Sequence, residues 1–434
     1  MNYLYSGDNF GTIKEYNITK ILNSDELSTD SITKYSSKPI KRTTFIYTNK
    51  FILNEKNQSK NMLIGYSDGK IDIILTPLNN DSNIPIISFI VNGEVIFIHD
   101  ITLNYPNESE KGNKVIVTIT GSKKLYLLRL PQINEGHPYF QSTIDLDVNY
   151  EDACSIYTDF IIEKFELPCT NLKCVAYNNT KNCIAFGGYE SDIKIIRLDT
   201  LELAWSSKNI QKNMLKHRMP IDVTKLTFIQ EDPEILLCGT GYGEIRLYAP
   251  QLQRRPIINY VIWEEKLPVT SLEIIKKWSK LKSNKNSHGS VFAVGNNKGS
   301  ALLLKISDTQ VDNHKNLNFL MENRGSALNK KNIVPLIREC VPFNISIQQS
   351  EKNKLNIRSN HRIEISTIGS FKGIMGGITA MSYFKLNTQG EHRDSIFLAI
   401  GGLGRYVYIF EVKKRRLVKK IFTSQKTTFI NILE

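Results

Sequence analysis

Residues 236–248 read Leu236-Leu-Cys-Gly239-Thr-Gly-Tyr-Gly243-Glu-Ile245-Arg-Leu247-Tyr248: a short apolar stretch meets a glycine, turns within a few residues and resumes as a second apolar stretch. Two short apolar runs around a glycine-assisted turn are the pattern of two antiparallel strands. The pattern recurs at Gly7, Gly65, Gly121, Gly187, Gly295 and Gly401, seven marks in all with Gly239. After five of the seven, the sixth and eighth residues are both apolar, as with Ile71 and Ile73 or Val407 and Ile409. Four carry a second glycine four positions on: Gly11, Gly69, Gly243 and Gly299. Successive marks lie 52 to 66 residues apart, except the last pair, which are 106 apart. A four-stranded propeller blade takes about 40–45 residues, so each interval holds one blade with long loops. The sequence thus predicts an all-β, seven-bladed β-propeller with degenerate repeats, a single domain over residues 1–434.

Three details follow from that outline. The long interval contains 308–360, rich in Asn, Lys, Ser and Gln, which reads as a loop insertion; an eighth blade would need strands around Val334–Ile347. Ile84 to Ile98 contains two apolar runs around Asn92-Gly93, the dipeptide of a type I′ hairpin turn. The chain opens with Tyr3-Leu4-Tyr5 directly before the first mark, too little for a full blade, and closes with Thr428 to Leu433. Leaving no open hydrogen-bonding edge requires that this last strand complete the first blade and close the ring.

The 434 residues carry 41% hydrophobic and 23% charged residues, a composition that folds. The net charge of +13 draws the protein to polyanions: RNA, DNA or acidic protein surfaces. Met1 to Phe10 has neither a basic nor an apolar leader segment, and no apolar run is long enough to span a bilayer, so the expected compartment is intracellular. The six cysteines form no CxxC pair and read as buried thiols rather than a zinc site. No phosphate-binding GxxxxGK[ST], HExxH, GxSxG or EF-hand loop is present, and Gly295-Asn-Asn-Lys-Gly-Ser300 is a turn of the wrong spacing. The seven histidines sit mostly in polar segments away from any nucleophile. No catalytic residue, cofactor, metal or small-molecule substrate is expected, and the chain reads as a non-enzyme.

What remains is binding. The densest basic stretch, between Trp205 and the strand at Val223, contains Lys208, Lys212, Lys216, His217 and Arg218. It reads equally as a recognition loop and as a solvated connector between blades. Gln253-Arg254-Arg255-Pro256 offers two guanidinium groups on a stiff backbone, suited to phosphate or carboxylate, or else a plain polar turn. Lys276-Lys277-Trp278, with Lys280 and Lys282, interleaves an aromatic with cations, and Lys413-Lys414-Arg415-Arg416 reads as a charged turn or an import cluster. If about six such cations met single-stranded RNA phosphates, the salt slope would be about −4, a loss of a few hundred-fold between about 50 and 200 mM salt.

Several of these elements, in their order, carry a resemblance. Gly187-Gly188-Tyr-Glu-Ser-Asp192-Ile-Lys-Ile is followed by Trp205-Ser-Ser-Lys208-Asn209-Ile and by Arg218-Met-Pro220-Ile. Then come Cys238 to Tyr248, Gln253 to Pro256, Lys372-Gly373-Ile-Met-Gly376-Gly377 and Gly401-Gly402-Leu403-Gly404-Arg405-Tyr406-Val407. The chain resembles the Nop-seven-associated family of WD-repeat ribosome biogenesis factors over residues 174–303 and 363–433, and only in architecture before residue 150. The resemblance implies a WD-repeat-like propeller in the nucleus and nucleolus, a scaffold for assembly of the large (60S) ribosomal subunit and rRNA processing. It implies partners among pre-60S assembly factors and pre-rRNA, and an AAA-type ATPase acting in release, with no membrane. The other reading of the same residues is a generic WD-repeat adaptor for protein–protein interaction with no RNA connection. Three departures stand out: Lys216 and Asp222 replace the family's acidic residue and tryptophan, Gly404 replaces an aspartate, and no lysine-rich tail precedes Glu434. The Gly404 replacement implies loss of a WD-type structural hydrogen bond, and the missing tail implies that import uses another element, such as Lys413 to Arg416.

Overall fold

The computed structural model describes residues 3–23, 32–36, 41–48, 60–76, 78, 85–110, 113–130, 141–146, 160–210, 219–229, 235–275, 289–310, 361–386 and 395–433. Strands gather into seven sheets. Blade 1 joins the two ends of the chain: β1 (Tyr3–Asp8), β2 (Thr12–Asn17) and β3 (Ile32–Ser36) are preceded, on the inside, by β29 (Thr427–Leu433). Blade 2 is β4 (Thr43–Thr48), β5 (Lys60–Tyr66), β6 (Lys70–Thr76) and β7 (Ile87–Ile90); blade 3 is β8 (Val95–Asp100), β9 (Lys114–Thr120), β10 (Lys124–Leu130) and β12 (Ile161–Glu166). Between β10 and β12 the chain crosses to the rim of blade 2, where β11 (Ser142–Asp145) adds a fifth strand, parallel to β7. Blade 4 is β13 (Asn171–Asn178), β14 (Cys183–Tyr189), β15 (Ser191–Arg197) and β16 (Leu203–Ser206); blade 5 is β17 (Val223–Phe228), β18 (Leu236–Thr240), β19 (Glu244–Tyr248) and β20 (Ile258–Val261). Blade 6 is β21 (Val269–Ile275), β22 (Gly289–Asn296), β23 (Ala301–Gln310) and β24 (His361–Phe371); blade 7 is β25 (Ile378–Lys385), β26 (Ile396–Gly402), β27 (Tyr406–Glu411) and β28 (Arg416–Phe422). Each blade's first strand touches the first strand of the next, and β25 touches β29, which touches β4, so the ring closes.

The register explains the glycine marks. Each inner strand carries one extra, unpaired residue near its start, a β-bulge at Thr44, Ile96, Lys173, Thr224, Thr270, Thr379 or Thr428. The residue after the bulge faces the marked glycine, as Lys225 faces Gly239 and Ala380 faces Gly401. At that position the next blade's inner strand presses in. A Cβ on Gly7 would sit 2.6 Å from Thr43 Cγ2, one on Gly65 2.6 Å from Val95 Cγ1, and one on Gly239 2.5 Å from Val269 Cγ1. The bulge threonines clasp the same seam: the Thr270 hydroxyl reaches the carbonyls of Gly295 (3.2 Å) and Ile378 (2.6 Å), and that of Thr379 the carbonyls of Gly401 (3.3 Å) and Thr427 (2.6 Å). Thr428 reaches Gly7 and Thr43 in the same way, at 3.1 and 2.7 Å. Starts of inner strands thus adjoin starts, so all run one way. Ends of second strands and starts of third strands, with ends of outer strands and starts of inner strands, therefore share one face, here the upper; the remaining strand ends share the lower.

Blade 3 departs from the count. Phe97, after its bulge, faces Ile119, not Gly121, which lies beyond the strand and meets no atom closer than 3.6 Å at an added Cβ. Counting four on from Ile119 reaches Lys123, whose φ of +68° matches the turn glycines Gly11 and Gly243 at +79° and +74°. The Asn92-Gly93 hairpin is also corrected. β7 pairs with β6 and β8 with β9, so the dipeptide is a crossover between blades, and only Gly93 takes a positive φ, +94°. Two apolar runs around a turn look alike whether they pair with each other or with strands further off. In blade 6 the strands extend to Gln310 and resume at His361, so 308–310 are strand; residues 311–360, with the eighth-blade segment, lie outside the described residues.

The core lies between blades rather than within one sheet. Leu125, Ile184, Phe186 and Ile196 join blades 3 and 4; Ile193, Val223, Phe228 and Cys238 join blades 4 and 5. Each such aliphatic or aromatic side chain contributes about 1.5–3 kcal/mol on burial, opposed by the entropy of ordering it.

Candidate interaction surface

Strand β16 is short, and Trp205 near its end faces the next blade, its ring edge-on to Tyr248 at 5.9 Å. Beyond it, Ser207 turns inward: its Oγ accepts from Ile193 N at 2.9 Å, and its own N–H reaches Ile193 O at 2.8 Å. That anchor leaves Lys208 exposed at the rim. Here the two basic segments meet. The Lys208 N–H donates to Arg254 O at 2.8 Å, and Arg254 Nε donates to Ser206 O at 2.6 Å. Arg254 and Arg255 sit on the turn between β19 and β20, which is closed by Leu252 and Gln253 N–H groups on Ala249 O. All three cations are exposed, and among the described residues none is paired with a carboxylate.

The connector's ends are fixed by a buried arginine. Arg246 is held by Glu244 Oε2 (Nη2 at 2.8 Å, Nε at 3.1 Å), and its Nη1 donates to Asn209 Oδ1 at 3.3 Å. Asn209 Nδ2 donates in turn to Met219 O at 2.5 Å. Asn209 and Met219, which flank the connector in sequence, therefore meet at one place on the blade 4–5 seam. Lys212, Lys216, His217 and Arg218 lie outside the described residues, as do Lys276 to Lys282. Asp222, at the upper end of the connector, pairs with Lys173 at 2.7 Å, an ion pair between neighbouring inner strands. Lys413 to Arg415 lie in the exposed turn between β27 and β28, Arg416 opens β28 and is exposed too, and Lys414 lies 3.3 Å from Glu411.

Arg246 and Asn209 were not singled out by sequence reasoning. Arg246 sits among alternating apolar residues of β19, where an arginine is worth noticing, because a buried guanidinium must be paired.

Below the cations, a cavity of about 260 Å³ opens between blades 4 and 5, lined by Lys181, Arg197, Trp205, Phe228, Pro250 and Gln251. The Trp205 Nε1–H is buried there without a hydrogen-bond partner among the described residues. Cys183 also lines it, and burial, opposed by Lys181 and Arg197, raises its pKa to about 11. Burial raises Cys174 as well and takes Cys238 to about 12, so these thiols stay protonated at neutral pH. Cys169, Cys174, Cys183 and Cys238 are free; Cys154 and Cys340 lie outside the described residues. Among the described residues no group of three or more His, Cys, Asp or Glu is placed to hold a metal, and no helix is long and apolar enough to cross a membrane. The arrangement offers fixed positive charge, donors and apolar wall: binding chemistry for an anionic partner.

No protein-family model matches the chain. It is similar to ribosome biogenesis protein NSA1 of Meyerozyma guilliermondii, 22% identical over 263 residues, 58% of this chain and 52% of that protein. It is 24% identical to the protein of that name from Saccharomyces cerevisiae over 263 residues, 58% of this chain and 45% of that one. A shorter match, 27% identical over 121 residues, is to WD repeat-containing protein 74 of Bos taurus, covering 27% of this chain and 30% of the relative. The chain spans about half the length of the NSA1 relatives it matches. WD-repeat relatives fit the seven-bladed ring described above.

Proposed function

We propose that this protein is a non-enzymatic scaffold in biogenesis of the large ribosomal subunit. In this reading 1–434 is one propeller domain, with an insertion in blade 6 that begins after Gln310 rather than at 308, and it works in the nucleolus. It binds pre-ribosomal particles through assembly factors and pre-rRNA, and an AAA-type ATPase takes part in its release. The observation that carries the reading is the similarity, over 58% of the chain, to proteins named for ribosome biogenesis. The blade 4–5 seam supports it: Lys208, Arg254 and Arg255 present charge that no carboxylate among the described residues pairs, and Lys212, Lys216, His217 and Arg218 lie in sequence between Asn209 and Met219, which are bonded to each other at that seam. Such a surface suits phosphate oxygens or acidic protein segments.

Gentle purification of the tagged full chain, followed by sequencing of bound RNA and identification of bound proteins, tests this. Precursor large-subunit rRNA and assembly factors are expected. Recovery of peptide-motif proteins alone, unaffected by ribonuclease, would favour the plain adaptor instead.

A further inference from the structure

A second surface lies on the upper face of blade 7, about the segments Lys372 to Gly377 and Leu403 to Tyr406. The structure packs these two segments together: an added Cβ on Gly404 would lie 1.9 Å from Met375 O, and Leu403 N–H donates to Gly377 O at 2.9 Å. Three large apolar side chains stand out of this joint, Met375 at 59%, Leu403 at 49% and Phe422 at 57% exposure. They are one patch. Lys420 Nζ lies 3.9 Å from both Met375 Sδ and the centroid of Tyr406, whose ring is 5.3 Å from that of Phe422.

The patch is ringed by one sign of charge. Lys372, Arg405, Lys420 and Lys426 are exposed, and residues 371–377, 402–408 and 418–428 contain no Asp or Glu. On the adjoining blade, Glu265 is taken by Lys298 at 2.6 Å. Adjacent exposed apolar side chains rimmed by polar residues mark interaction sites on soluble proteins. Here the rim selects the partner.

We infer that the upper face of blade 7 docks an acidic protein segment bearing large apolar side chains. Apolar groups cover Met375, Leu403 and Phe422 while flanking carboxylates meet Arg405 and the lysines. RNA fits less well: the Tyr406 face that a base would stack on is covered by Lys420, and of the three exposed apolar side chains Phe422 alone offers a stacking plane, Met375 and Leu403 offering none. This docking surface is independent of the blade 4–5 seam, so it stands or falls apart from the ribosomal reading.

The test is selection from a displayed library of random short peptides on the immobilised full chain, with binding of an oligouridine measured in parallel. Two variants are compared, Met375→Ser with Phe422→Ser, and Arg405→Glu with Lys420→Glu; all four side chains are exposed, and circular dichroism checks folding. The wild type should enrich peptides in which Asp or Glu flank Phe, Leu or Trp. Each variant should retain at least about tenfold less of that pool, as loss of a central apolar or charged anchor does, with oligouridine binding unchanged. A neutral or basic pool, no enrichment, retention by either variant equal to that of the wild type, or loss of oligouridine binding instead would overturn the inference.

Discussion

Gly239 shows what a single position does in this ring. The Cβ of an alanine there would lie 2.5 Å from Val269 Cγ1, a β-branched group fixed on the next inner strand. Gly239→Ala should therefore cost about 1–3 kcal/mol in denaturant unfolding, as overpacking does. Gly121→Ala, whose Cβ has 3.6 Å of room, should stay within about 0.5 kcal/mol. Equal effects would contradict the register given for blade 3. Glu15 gives a second test. Its carboxylate accepts from Tyr5 OH (2.8 Å), Leu78 N (2.9 Å) and Thr33 Oγ1 (3.2 Å), yet burial outweighs these bonds and raises its pKa above the usual 4.5. The folded state then holds this proton more tightly than the unfolded chain. Stability from this group is full below about pH 4.5 and falls as pH rises through the raised value. Glu15→Gln should flatten the decline; parallel curves of stability against pH for the two proteins would reject it. At this scale the sequence was partly legible. A glycine beside apolar runs is visible, but Ile119 filling the same place in blade 3 is not, because its suitability depends on what the next inner strand presents. The bulge threonines left a readable trace, the pairs Val223-Thr224, Val269-Thr270 and Ile378-Thr379 at inner-strand starts, which glycine counting passes over.

At the scale of elements, ring closure was readable and one hairpin was not. β29 pairs with β1 from Tyr3↔Leu433 to Asp8↔Thr427, as the need to cover the N-terminal edge requires. Ending the chain after Lys426 would remove this strand with Ile430, which is 3% exposed, and the Thr428 clasp to Gly7 and Thr43. The thermal midpoint should drop by far more than the few degrees that a loss of about 1 kcal/mol gives in a domain of this size. An unchanged midpoint would contradict closure by β29. The Asn92-Gly93 crossover was not legible because local propensity reports a turn, while partner choice is settled by β6 and β9, which lie elsewhere in the chain. For the blade 4–5 seam, composition located the basic segments, but the bonds joining Lys208 to Arg254 and Asn209 to Arg246 span 37 to 46 residues of sequence and have no local signal.

At the scale of the whole molecule, seven sheets close into one ring whose proposed role is recognition. Its net charge of +13 makes weak attraction to polyanions expected, so affinity alone says little about the seam. Salt dependence says more. If Lys208, Arg254 and Arg255 each neutralise one phosphate, oligouridine binding should weaken with a slope of about −2 in log salt. That slope should nearly vanish in the Lys208→Glu, Arg254→Glu, Arg255→Glu protein. A slope untouched by the triple change would place RNA contact elsewhere. The most direct measurement is sedimentation of cell extracts on sucrose gradients, following the tagged wild type and the triple variant beside precursor large-subunit rRNA. The account predicts that the wild type travels with the precursor particles and that the triple variant shifts to the light fractions. Wild-type protein found only in the light fractions, apart from the precursor rRNA, would contradict it.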